Sequence, residues 1–130
     1  MPTEIAYAPM NFAVGQRLTF DWRPEDPVLV NDRLMAAAVR ARAALIAVAC
    51  TGQTITYKGL SAAIGNLYLY RRLGGLLDAL SWDCFKRGEL SLAALVVRTG
   101  SRSPGTGFIH GDDEPIEDYQ RRVQRHWQQH

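Results

Sequence analysis

The chain has 130 residues and a formal net charge of +2, with 47% apolar and 22% charged residues. That is ordinary usage for one folded domain around a single core, and it excludes a disordered or two-domain reading. No apolar run reaches the roughly 18–20 residues of a membrane-spanning helix. The opening residues also lack the basic start, apolar stretch and small-residue cleavage site of a secretory leader, so the expectation is a cytosolic protein.

The first 28 residues carry Pro2, Pro9, Pro24 and Pro27 and read as an arm packed on a core, with one short strand around Arg17–Asp21. From Asn31 the pattern turns helical. Leu34, Ala38, Ala41, Leu45 and Val48 share a face, Asn31 or Asp32 caps the start, and Gly52 ends the run. Thr54–Thr56 is short and β-branched, and Thr56 then caps a helix with Leu60, Ala63 and Ile64 on one side, stopped by Gly65 and Asn66. A third helix is predicted over Leu69–Leu80, with Leu69, Leu73, Leu76, Leu77 and Leu80 together.

Two short helices joined by a turn are the signature of a helix-turn-helix. Leu90–Val97 reads as a strand, the glycine-rich Gly100–Gly107 as a turn, and Phe108-Ile109 as a returning strand, which makes a wing-like hairpin. Pro115 opens a last amphipathic helix marked by Ile116, Tyr119, Val123 and Trp127. The expected fold class is therefore α+β and mainly helical: a winged helix-turn-helix with a small β-hairpin wing and a C-terminal helix. It is one domain, with an arm over 1–28, a core over 29–109 and the closing helix in 110–130.

Cys50 and Cys84 are the two cysteines. They are too few for a disulfide framework and lie in no CxxC or CxxH pair, so each is expected to be a small buried thiol. No metal or other cofactor is expected. Charge is unevenly spread. Residues 57–102 hold seven basic and three acidic groups, whereas 103–118 hold five acidic and no basic ones. The basic middle is compatible with a polyanionic partner, and equally with a solvated face.

The string Gly52-Gln-Thr-Ile-Thr-Tyr57-Lys-Gly-Leu60-Ser-Ala-Ala-Ile-Gly65, followed by Arg71-Arg-Leu-Gly74-Gly75, resembles the DNA-binding half of the alkylguanine-DNA alkyltransferase and alkyltransferase-like family. The family spacing is Gly, five residues to Tyr, eight more to Gly, and then an arginine ahead of paired small residues. The likeness extends over residues 43–108. It implies that Tyr57 lies against a phosphate, that Arg71 enters the duplex, and that Gly74 and Gly75 let the recognition helix approach the minor groove closely. Read from the residues alone, Tyr57 is equally a packed ring, and Gly74-Gly75 equally a site of tight helix packing, because paired glycines inside a helix cost about 1 kcal/mol each unless something needs the space.

Where the family carries its reactive Pro-Cys-His-Arg, this chain reads Leu92-Ala93-Ala94-Leu95. Cys84 has no neighbouring histidine to activate it, so alkyl transfer is not expected. The reading is a non-enzymatic protein that binds duplex DNA through Tyr57, Arg71, Arg72, Gly74 and Gly75, with Lys86, Arg87, Arg98 and Arg102 reaching phosphates from around the wing. The alternative is a protein-interaction module, such as an inhibitor or immunity partner of a toxin or nuclease, whose acidic stretch 112–118 mimics or blocks nucleic acid.

Overall fold

The apolar spacing after Asn31 is realised as α1 (Asp32–Cys50) in the computed structural model, which describes residues 10–100 and 114–129. The Asn31 side chain accepts from the Leu34 N–H at 2.8 Å, and the chain leaves the helix through Gly52 at φ +71°. Ile55–Thr56 forms β3 and runs directly into α2 (Tyr57–Ala63), where Thr56 Oγ1 accepts from the Gly59 N–H at 3.0 Å. Gly65 and Asn66, both at positive φ, end this helix. The chain then passes through residues 64–73, including a 3₁₀ turn at Tyr70–Arg72, before α3 (Gly74–Lys86) begins.

The arm forms a small antiparallel pair, β1 (Arg17–Leu18) with β2 (Val28–Leu29). A second pair is parallel. In it β4 (Val96–Val97) lies beside β3, with Ile55 opposite Val96 and Thr56 opposite Val97. The last element is α4 (Ile116–Gln128), entered from Pro115. The fold is thus mainly helical α+β. Its core is one cluster in which α1 packs against α2, α3 and α4, with Leu45, Leu60, Ile64, Leu80, Leu95 and Val123 almost fully buried.

Three expectations change. The segment read as a strand over Leu90–Val97 is a 3₁₀ turn at Leu92–Leu95 followed by two strand residues. Side chains satisfy its backbone in place of a strand neighbour: Ser91 Oγ accepts from Ala93 N–H at 3.2 Å, Tyr119 Oη accepts from Ser91 N–H at 2.8 Å, and Gln120 Nε2 donates to Ala94 O at 2.8 Å. The third helix starts five residues later than predicted, because Leu69 is extended (φ −69°, ψ 153°) and the turn at Tyr70–Arg72 precedes it. Leu69 therefore points to solvent instead of joining the buried leucine face. Cys50 is exposed, whereas Cys84 is buried as expected. The returning strand Phe108-Ile109 and most of the glycine-rich turn lie outside the described residues.

An arginine sits in the centre of this core. Arg42, on the buried face of α1, is 2% exposed and forms a two-pronged pair with Glu89, at 2.9 and 3.0 Å. It also lies 3.7 Å from Asp83, which in turn accepts from Arg87 Nε at 2.9 Å and from the backbone and side-chain amides of Asn11 at 2.7 and 2.9 Å. Burial disfavours the Arg42 charge, but the Glu89 hydrogen bonds and the two carboxylates outweigh it and hold its pKa above the usual arginine value. Removing Arg42 strips Glu89 of its two-pronged partner and leaves Asp83 with Arg87 and Asn11 alone, so Arg42→Ala is expected to lower stability by about 3–5 kcal/mol. Urea denaturation of the variant beside the wild type checks this, and a loss below about 1 kcal/mol would show that the network contributes little.

Candidate nucleic-acid interface

The nine residues singled out from the sequence do not form one site. Tyr57 is the first residue of α2 and is half-buried. Arg71 and Arg72 are exposed in the 3₁₀ turn just ahead of α3. Arg98 is exposed one residue beyond the Thr56–Val97 pair, so the parallel register carries it to the start of α2. Lys86 and Arg87 lie at the other end of α3, about 20 Å along a helix of this length. There Lys86 sits over the Trp82 ring at 5.1 Å and Arg87 is bound to Asp83. Arg102 lies outside the described residues.

Gly74 and Gly75 are not in a helix interior. They are the first two residues of α3, where the cost of glycine within a helical ladder does not apply. A side-chain carbon at Gly74 would meet nothing within 4 Å, so no packing requires that glycine, and one at Gly75 would meet Val28 of the arm at 3.5 Å. No side chain caps this helix start, which leaves the partial positive charge of its N-terminus uncompensated by a local acceptor.

Between α2 and that helix start the structure joins Arg71 to residues not singled out from the sequence: Lys58, Tyr70, Arg33 and Arg40. Lys58 Nζ lies 5.1 Å and Arg71 Cζ 5.4 Å from the centre of the exposed Tyr70 ring, and Arg71 Nε donates to Tyr70 Oη at 3.0 Å. Arg33 of α1 covers the neighbouring Tyr68 ring at 5.6 Å, and Arg40 donates to Ile64 O at 3.3 Å. The Tyr68 hydroxyl titrates above the usual tyrosine range because its partial burial outweighs the opposing effect of Arg33. None of Arg33, Arg40, Lys58, Arg71 and Arg72 has a carboxylate partner among the described residues. The signal that could have found Lys58 and Tyr70 is their proximity in sequence to Tyr57 and Arg71. Arg33 and Arg40 became visible only once α1 packed against α2.

Much of the outer face of α3 is covered by the arm, with Phe85 at its far end left 47% exposed. Gly75 faces Val28, Asp78 accepts from Trp22 Nε1 and Arg23 Nε at 3.0 Å each, Trp82 meets Phe12 and Phe85 meets Trp22 edge-on. These four positions form one stripe of the helix, and the arm lies along it. Only the N-terminal end of α3 is open toward the cation group. The acidic stretch after residue 110 is partly described: Glu114 binds Arg122 at 2.6 Å, and Asp118 pairs with Arg121.

Cys84 is inside α3, and burial pushes its thiol up to about 11. It is protonated near neutral pH and shielded from reagents. A thiol reagent is therefore expected to modify one cysteine, Cys50, in the folded protein and both after denaturation. Rapid labelling of two would contradict the burial of Cys84. Comparison of the chain with protein-family models, with curated proteins and with solved structures finds no match in any of the three.

Proposed function

We propose that this is a DNA-binding protein without catalytic activity, whose contact surface is the group Lys58, Tyr70, Arg71 and Arg72 beside the start of α3. The observation that carries the reading is a cluster of exposed cations with no acidic partner among the described residues, held around an exposed aromatic ring ahead of a helix N-terminus that no side chain caps. Unpaired surface cations keep their full charge for an incoming phosphate, and a helix N-terminus adds backbone donors. Tyr57 and Arg98 flank this group from the β3–α2 side and extend it.

The alkyltransferase-like winged helix-turn-helix is part of this proposal. Its support is the Thr56-capped helix opening with Tyr57 and the exposed Arg71 ahead of the glycine pair. The protein-interaction alternative gains less, because Glu114 and Asp118 are engaged by arginines of α4 and so make a poor mimic of a phosphate row.

Fluorescence anisotropy of labelled DNA over a range of salt concentrations tests the proposal. Affinity is expected to fall steeply with salt, and Arg71→Ala and Lys58→Ala are each expected to weaken binding and reduce the salt slope by about 1. Lys86→Ala, at the far end of α3, is expected to leave binding unchanged. Absence of binding at low salt would overturn the proposal.

A further inference from the structure

We infer that the nucleic acid taken by this surface is single-stranded, its bases laid against Tyr70 and Leu69 and its phosphates against Lys58, Arg71 and Arg72. The inference rests on the nucleic-acid reading above and narrows it. A duplex is read by an element inserted into a groove. The element in question, α3, has Gly75, Asp78 and Trp82 of its outer stripe packed against the arm, and only Phe85 at its far end stays exposed. That arm cannot lift away cheaply, because its Met10, Phe12, Leu18 and Phe20 are buried in the core. What remains open is a short stretch of chain ahead of α3, and its chemistry is aromatic, aliphatic and basic in succession: Tyr68, Leu69, Tyr70, Arg71, Arg72.

Leu69 is 67% exposed, the most exposed large apolar side chain among the described residues, and Tyr70, its neighbour in the chain, is 36% exposed. A stacked duplex hides the faces of its bases, so such side chains gain little from it without distortion. A single strand presents base faces and phosphates together, and proteins that bind it pair aromatic platforms with cations in this way. Lys58 and Arg71 lie over the Tyr70 ring, so a base laid there shares the ring with a cation or stacks on the Arg71 guanidinium itself, and both cations stay within reach of the phosphates on either side. The connection is also firmly held. Ser61 Oγ donates to Tyr68 O at 2.7 Å and Asn66 N–H to Ser61 O at 2.9 Å, so the platform is in place before a strand arrives.

The test compares anisotropy of a labelled mixed-sequence single strand with that of the duplex it forms with its complement, at the same low salt. The single strand is expected to bind about tenfold tighter or better. Tyr70→Ala and Leu69→Ala are expected to weaken single-strand binding about 5- to 100-fold with little effect on the duplex, and Tyr70→Phe to retain it. Both side chains are exposed, and circular dichroism verifies that the variants remain folded. Equal or tighter duplex binding, or an equal loss for both forms in Tyr70→Ala, would overturn the single-strand inference and leave the nucleic-acid reading standing. Failure of the wild type to bind either form would overturn both.

Discussion

The packing of α1, α3, α4 and the arm against one another centres on one arginine held away from water. Arg42 is buried on α1, and taking its charge out of solvent costs several kcal/mol unless carboxylates meet it in good geometry. Glu89 does so with both oxygens, Asp83 lies within ion-pair distance, and the Trp127 ring lies 5.5 Å from its guanidinium. Two arginines, Arg42 and Arg87, face two carboxylates, so the buried group is neutral as a whole. Its members come from α1, α3, the turn after α3 and, through Asn11, the arm, while Trp127 brings in α4. Any displacement of one element strands charge belonging to another. Arg42 Nε is the single buried side-chain nitrogen found without a hydrogen-bond partner among the described residues, which shows how little slack the arrangement has.

That constraint decides which charges remain available at the surface. Arg23, Arg42, Arg87, Arg121 and Arg122 are committed to carboxylates. Among the described residues, Arg33, Arg40, Lys58, Arg71 and Arg72 are not. A net charge of +2 averaged over the chain therefore understates the local field where Lys58, Arg71 and Arg72 lie together. The same network docks the arm through Asn11, and the arm then covers Gly75, Asp78 and Trp82 on the stripe of α3 that a groove-reading helix would need. The core arrangement and the exposure of residues 68–72 are two results of one packing solution.

What the sequence made legible follows from where the signals are local. Asn31 and Thr56 announce the starts of α1 and α2 because a cap needs only residues three apart, and Gly52, Gly65 and Asn66 announce ends because they tolerate positive φ. The strong two-sidedness of α4 placed Tyr119, Val123 and Trp127 correctly. Leu92–Leu95 misled because an apolar run does not say what will bond its backbone. Tyr119 and Gln120, more than twenty residues away, decided that. Arg42 carried a local hint, an arginine between Ala38 and Leu45 on the apolar face, but its partners Asp83 and Glu89 lie too far along the chain to be inferred. In the candidate site, Tyr57, Arg71 and Arg72 were legible from spacing. Lys86 and Arg87 were grouped with them only because distance along a helix is invisible in a list of basic residues.

The connection between α2 and α3 shows how a short irregular segment acquires a defined surface. It has no strand or long helix to hold it, so its order comes from individual polar contacts. Asn66 takes the left-handed conformation at φ 58°, its N–H returns to Ser61 O, Arg40 reaches Ile64 O, and Ser61 Oγ fixes Tyr68 O. With the backbone tied at both ends, Leu69 through Arg72 project outward without needing to be ordered first. Binding to such a segment avoids much of the entropy of immobilising a loop, which costs about 0.5–1.5 kcal/mol for each flexible side chain fixed. Arg71 and Lys58 are already restrained against Tyr70. The ten residues between the end of α2 and the start of α3 make this connection longer than the turn of a tight helix-turn-helix, and the proposed contact residues Tyr70, Arg71 and Arg72 lie within it.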